Sequence, residues 1–133
     1  MRYSADIGAT RQYWAENDWQ CDCCYCENYR KAFAGAFPAG VQALEGLGLR
    51  YEHALEICEC GWNDCQTARI YQAYYPVKGI LTEDHVLLEG EGRIALYRAD
   101  SPDLRCPSPR MKPPYFVAEV QIQLPWVLED EKK

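Results

Sequence analysis

CDCCYCENYRKAFAGAFPAGVQALEGLGL, residues 21–49, decides how this chain folds. Tyr25, Tyr29, Ala32 with Phe33, and Ala36 recur at i, i+4, i+7/8 and i+11, the apolar stripe of one helix. Glu27, Arg30 and Lys31 fall on its other side. Asp22 is placed to accept an orphan N–H of the first turn as N-cap, and Gly35 weakens the far end. Phe37-Pro38 breaks the helix and opens a second, because proline is tolerated at the first helical position. Val41, Leu44 and Leu47 then face inward. Gly48 reads as the left-handed residue after the helix, with Leu49 folding back on Leu44 in a Schellman stop.

Working outward, the period changes to two from residue 55 onward. Residues 55–60 and 65–75 are expected to form a hairpin about Gly61-Trp62-Asn63-Asp64, which sets Cys60 opposite Cys65. Ala68, Ile70, Gln72 and Tyr74 share one face of the second arm, Arg69, Tyr71, Ala73 and Tyr75 the other. Pro76 should end or bulge that arm. Residues 77–81 and 85–89 are short strand candidates, and Gly90-Glu91-Gly92 turns into 93–98, with Ile94 and Leu96 on one face. Residues 101–114 contain Pro102, Pro107, Pro109, Pro113 and Pro114 and must be an extended loop. The clearest strand comes last: Phe116, Ala118, Val120, Ile122 and Leu124 face the core, and Tyr115, Glu119, Gln121 and Gln123 face outward. Pro125-Trp126-Val127-Leu128 closes the fold, and 129–133 reads as a solvated tail. Upstream, residues 2–7 alternate weakly as a short strand, and 8–20 show no clear period.

Helices first and strands afterwards, without βαβ alternation, imply an α+β fold: an N-terminal helix pair packed on a mainly antiparallel β-sheet, sandwich-like in its layering. The chain has 133 residues, 48% of them apolar, which fits a single globular domain over 1–133. A chain of this length folds without staples, so its eight cysteines are surplus to that requirement.

Net charge is −6. The densest basic stretch holds only Arg105, Arg110 and Lys112, too few for the basic stripe that displaces counterions from nucleic acid. No apolar run approaches the roughly 18 residues of a bilayer span, and the first residues lack the apolar core of a signal peptide. No nucleic-acid or membrane partner is expected. A cytoplasmic location follows, where thiols stay reduced and serve as metal ligands or free side chains rather than disulfides.

Cys21, Cys23, Cys24 and Cys26 crowd the start of the first helix. Zinc takes thiolates as tetrahedral sets built from C-x₂-C knuckles. Cys23 and Cys26 form such a knuckle and Cys21 adds a third sulfur, so Cys21, Cys23 and Cys26 are the candidate zinc ligands. The fourth ligand is open among Cys58, Cys60, Cys65, Cys106 and His53. The helix dipole favours thiolate at this place. The blander reading packs Cys24, Cys58, Cys60 and Cys106 into the core as small apolar groups. A rival use of Cys23 and Cys26 is a thiol–disulfide redox pair, but such a pair belongs after a buried strand in a βαβ frame. A Cys26–His85 nucleophile pair has no local support. His53 reads as a surface residue and His85 as a loop or strand-edge residue. Glu89-Gly90-Glu91-Gly92 reads as a solvated turn, since no helix follows to make it a phosphate loop. Asn28 could support the thiol turn through its amide or lie exposed on the helix. Tyr71, Tyr74 and Tyr75 are either a binding face or half-buried cross-strand pairs.

Cys21, Cys23, Cys26, Asn28 and Tyr29, with Tyr115-Phe116-Val117 and Leu124-Pro125-Trp126, carry a resemblance. The chain resembles a group of small bacterial proteins with a Cys-x-Cys-x-x-Cys-x-Asn-aromatic signature before a helix and a C-terminal strand closing on Leu-Pro-Trp. The resemblance covers both ends of the chain and implies bacterial origin and weight for the Cys21, Cys23 and Cys26 set. It implies no activity. The sequence therefore points to a non-catalytic binding or interaction module with a protein partner or self-association, and to a thiol redox enzyme as the rival.

Overall fold

The computed structural model describes residues 2–17, 21, 23–107 and 109–128. The element order is β1 (Tyr3–Ala5), α1 (Ile7–Glu16), α2 (Cys24–Ala36), α3 (Pro38–Glu45), β2 (Glu56–Trp62), β3 (Arg69–Leu81), β4 (His85–Glu89), β5 (Gly92–Arg98) and β6 (Tyr115–Leu124). All six strands join one curled antiparallel sheet in the order β1-β3-β6-β5-β4, with β2 also on β3. The α+β class holds. The described residues contain three helices rather than a pair, lying against one sheet rather than in a sandwich.

The expected stripe of α2 is what the fold buries: Tyr29, Ala32 and Phe33 lie in the core, and Glu27 pairs with Lys31 on the outer side at 3.7 Å. Phe37 ends α2, and Pro38 starts α3. The Schellman stop is present, with Leu49 N–H donating to Leu44 C=O and Gly48 N–H to Glu45 C=O, both at 3.0 Å, and Gly48 at φ +85°. The Asp22 N-cap lies outside the described residues; Cys23 occupies the cap position instead.

β6 alternates as its sequence predicts, with Phe116, Ala118, Val120, Ile122 and Leu124 buried. Register carries the pattern across the sheet: Ala73, Val120 and Ile94 share one row, Tyr75, Ala118 and Leu96 the next. In the row of Tyr71 and Ile122 the β5 residue is Gly92. A Cβ there would come within 2.7 Å of the Phe37 ring, so the missing side chain is the slot that ring fills. Glu119 departs from expectation. It is buried on the sheet's other face, where Gln121 Nε2 donates to it at 2.8 Å.

Pro76 neither ends nor bulges β3; it pairs with Val117 inside a 13-residue strand that absorbs the separate 77–81 candidate. Tyr74 C=O accepts from Leu55 N–H, and Lys78 C=O accepts from Asp6 N–H. Residues 74, 76 and 78 point their backbone groups to the same edge, so Pro76 falls between β2 and β1, where no ladder donor is required. The 55–75 hairpin also differs. β2 extends to Trp62 opposite Arg69, with a bulge after Glu59, leaving 63–68 as the loop. Asn63 organises that loop: its Oδ1 accepts from Thr67 and Ala68 N–H, at 2.9 and 3.3 Å. Cys65 lies in the loop, and Cys60 does not face it.

α1 was not legible as a helix. Only Thr10 and Tyr13 are buried along it, too few for a stripe. Polar contacts place it instead. Asp6 Oδ1 caps Ala9 N–H at 3.0 Å, the Thr10 hydroxyl accepts Lys78 N–H at 3.0 Å, and Tyr13 O–H donates to Pro109 C=O.

Tyr71, Tyr74 and Tyr75 form no open binding face, since all three are buried. Tyr75 O–H donates to Tyr51 C=O at 2.7 Å, which leaves Tyr29 to donate to Tyr75 Oη at 2.6 Å. Burial pushes Tyr71 and Tyr74 up to about 12 and Tyr75 well above the usual phenol range. The unfolded chain releases these protons near pH 10 while the fold retains them, so the unfolded state binds fewer protons between pH 10 and 12. Stability should therefore be unaffected by Tyr71 and Tyr74 below about pH 10, then fall by roughly 1.4 kcal/mol per pH unit for each. Urea titrations across that window check this, and Tyr74→Phe should make the slope shallower by about one group's share.

Candidate metal centre

The Sγ atoms of Cys21, Cys23 and Cys26 lie within 4.8 Å of one another, and all eight cysteines are free thiols. The turn is built from the start of α2. Cys23 is extended, at φ −67° and ψ 160°, and its Sγ accepts Cys26 N–H at 3.5 Å. Cys23 N–H in turn donates to Cys21 Sγ at 3.4 Å, and Glu27 N–H to Cys23 C=O at 3.0 Å. Two sulfurs thus already accept backbone N–H groups, at the positive end of a helix dipole. Arg30, further along α2, ties Cys21 down through its carbonyl.

Cys26 is buried; Cys21 and Cys23 are exposed. Burial opposes ionisation of Cys23, but hydrogen bonds from the Cys26 N–H, the Cys21 and Cys26 thiols and the Tyr25 N–H outweigh it and hold its pKa below the ordinary thiol value. Burial first, then hydrogen bonding and repulsion from Cys23 and Cys21, raise Cys26. Cys23 thus ionises before Cys26. A tetrahedral zinc with Zn–S bonds of about 2.3 Å holds its sulfurs about 3.8 Å apart, so the set closes on an ion by shifts of about an ångström. Thiolates select zinc or softer ions over magnesium and calcium.

The fourth ligand is not among the expected residues. Among the described residues no other cysteine, histidine or carboxylate joins the three sulfurs at that spacing. His53 lines a different cavity. Cys58 and Cys106 lie within electrostatic reach of each other and of Glu56, where burial first and then Glu56 raise them to about 11 and about 12. Cys60 and Cys65 are exposed elsewhere. Cys24 and Cys60 are exposed, so the packing reading fails for them, while Cys58 and Cys106 are half-buried rather than core residues. The sulfurs instead open on a cavity of about 270 Å³ whose wall includes Arg30, Glu52, Leu55 and Ile57.

Asn28 is a residue whose role the sequence did not resolve. It is completely buried beside the thiol turn. Its Oδ1 accepts Val127 N–H at 2.7 Å, and its Nδ2 donates to Pro125 C=O at 3.1 Å and Tyr71 Oη at 3.4 Å. Tyr71 O–H continues to Tyr25 C=O at 2.8 Å, within the Cys23–Cys26 turn. The amide thus binds the chain's closing segment, and through Tyr71 the thiol turn, to the sheet. Of the two readings of Asn28, support of the thiol turn through its amide fits this network, and exposure on the helix does not.

His85 stacks on Tyr3, with ring centres 6.1 Å apart, and its Nδ1 lies 3.0 Å from Glu83 C=O, so no Cys26–His85 pair forms. The Glu89–Gly92 segment is a solvated turn closed by Gly90 N–H on Gly92 C=O at 2.9 Å. No helix among the described residues is long and apolar enough to cross a membrane. No family model, curated protein or solved structure matches the chain.

Proposed function

We propose that this chain is a non-catalytic binding or interaction module whose Cys21, Cys23 and Cys26 thiolates hold one zinc ion. The carrying observation is the convergence of three sulfurs within 4.8 Å at the start of α2, with backbone N–H groups already on two of them. A group from the adjoining cavity, or from the protein it binds, supplies the fourth ligand. The ion would lock the turn that Asn28 and Tyr71 join to the sheet, and the bacterial group that the chain resembles carries the same three cysteines. The partner is another protein or a second copy of the chain; the exposed Val86 on β4, at one end of the strand order, supports pairing along that edge.

The test is metal content and thiol titration of protein purified under reducing conditions without added metal. About one zinc per chain is expected, lost in Cys21→Ser, Cys23→Ser and Cys26→Ser and retained in Cys65→Ser. Eight titratable thiols with no metal, before or after zinc addition, would sink the reading.

The second reading is a thiol–disulfide exchanger, favoured by an exposed Cys23 beside a buried Cys26. Cys23 thiolate would attack a substrate disulfide and expel one thiolate. Cys26, giving up its proton, would then displace the second substrate thiol, leaving a Cys23–Cys26 disulfide and a substrate reduced by two electrons. A reversible Cys23–Cys26 disulfide and turnover of insulin by dithiothreitol would place this reading ahead of zinc.

A further inference from the structure

A second cavity shares no wall residue with the thiol turn. It encloses about 480 Å³ between α1 and the end of α3, within the range of sites for small organic ligands. Arg11, Trp14 and Ala15 line it at i, i+3 and i+4, one face of α1. Glu45, Leu49, Arg50 and His53 complete the other side. Gly48 draws the two sides together: it sits at φ +85°, where a Cβ would fall 3.0 Å from Ile7 C=O.

Two features of the wall call for a ligand. Neither the Arg11 nor the Arg50 guanidinium has an ion-pair or hydrogen-bond partner among the described residues, although the chain carries a net charge of −6. Trp14 Nε1 is shielded from solvent and likewise has no hydrogen-bond acceptor. The ring itself is half-buried in the cavity wall, edge-on to Tyr13 with ring centres 5.0 Å apart. Two guanidinium groups and one carboxylate, Glu45, line the cavity, and the indole and Leu49 offer apolar surface. Guanidinium binds carboxylates and phosphates through paired N–H donors, and its face also stacks on aromatic rings.

We infer that this cavity binds a small organic acid, an aromatic or similarly flat apolar body bearing one carboxylate or phosphate, with Arg11 and Arg50 on the acid and Trp14 against the body. His53 adds an imidazole N–H at the rim, and Glu45 favours ligands with a hydroxyl or ammonium beside the acid. The site is independent of whether the thiol turn holds zinc.

The experiment titrates full-length protein with 1-naphthoate, phenyl phosphate and the neutral isostere 1-naphthamide, by calorimetry and by ¹H–¹⁵N spectra of the indole N–H groups. Trp14→Phe assigns the Trp14 signal. Saturable binding of at least one acid is expected, with the Trp14 indole proton shifted. Affinity should fall about tenfold or more for the amide, and similarly in Arg11→Gln and in Arg50→Gln. Both arginines are exposed, so the variants should keep the wild-type far-UV spectrum. Silence with both acids up to about 10 mM, equal binding of acid and amide, or unchanged affinity in the doubly substituted protein would each overturn the assignment.

Discussion

Gly79→Ala should destabilise the fold by about 3 kcal/mol or more, through backbone strain and overpacking together. Gly79 pairs with Ala5 at the join of β1 and β3 and has φ +146°. A Cβ there would lie 2.1 Å from Ser4 C=O and 3.0 Å from Ala5 Cα, both backbone atoms that no rotamer change can move. Relief requires β1 to leave the edge, and with it the Asp6 N–H to Lys78 C=O bond that starts α1. Urea unfolding gives the size of the loss, and hydrogen exchange at Asp6 and Thr82 shows whether β1 detaches first. A loss under about 1 kcal/mol would mean that β1 does not approach as described. Gly35→Ala is the matched control. Nothing lies within 4 Å of its added methyl, and alanine should stabilise α2 by about 0.5–1 kcal/mol.

Asn28→Ala should remove about 2–4 kcal/mol, because a buried amide with three hydrogen bonds is replaced by a cavity and unpaired backbone groups. Val127 N–H and Pro125 C=O lose their partner. Trp126, packed edge-on against Tyr25 with ring centres 6.0 Å apart, loses the segment that positions it. The same substitution frees Tyr71, whose O–H holds Tyr25 C=O, so the thiol turn should loosen and bind metal more weakly. Urea titration and proteolysis near 125–128 measure the first effect; zinc competition with a chromophoric chelator measures the second. Asn28→Asp separates the contacts, since it retains the acceptor for Val127 N–H and loses both donors. A change in stability below about 0.5 kcal/mol for Asn28→Ala would refute the clamp.

Residues 21–49 and 115–124 were legible because their information is local and periodic. A stripe repeated over three turns and an alternation over ten residues each leave one way to bury apolar surface, and Gly48 marks its stop by backbone chemistry alone. Register was less legible. The 55–75 hairpin was recognised but misaligned, because its loop is set by Asn63, whose carboxamide accepts from residues four and five positions on. Pro76 was misread because a missing N–H disrupts a strand only where a neighbour needs the donor, and neighbours belong to topology.

What the sequence by itself determined is the α+β class, the inward faces of α2 and β6, and the grouping of Cys21, Cys23 and Cys26, all consequences of short-range spacing. Only the tertiary structure decided that α1 is a helix, that Asn28 and Glu119 are buried, that the scattered cysteines stay away from the thiol turn, and that Arg11, Trp14 and Arg50 share one cavity. Those features rest on single contacts between residues far apart in the chain. Such contacts leave no period in the sequence, because a hydrogen bond or a shared wall needs only one residue from each side.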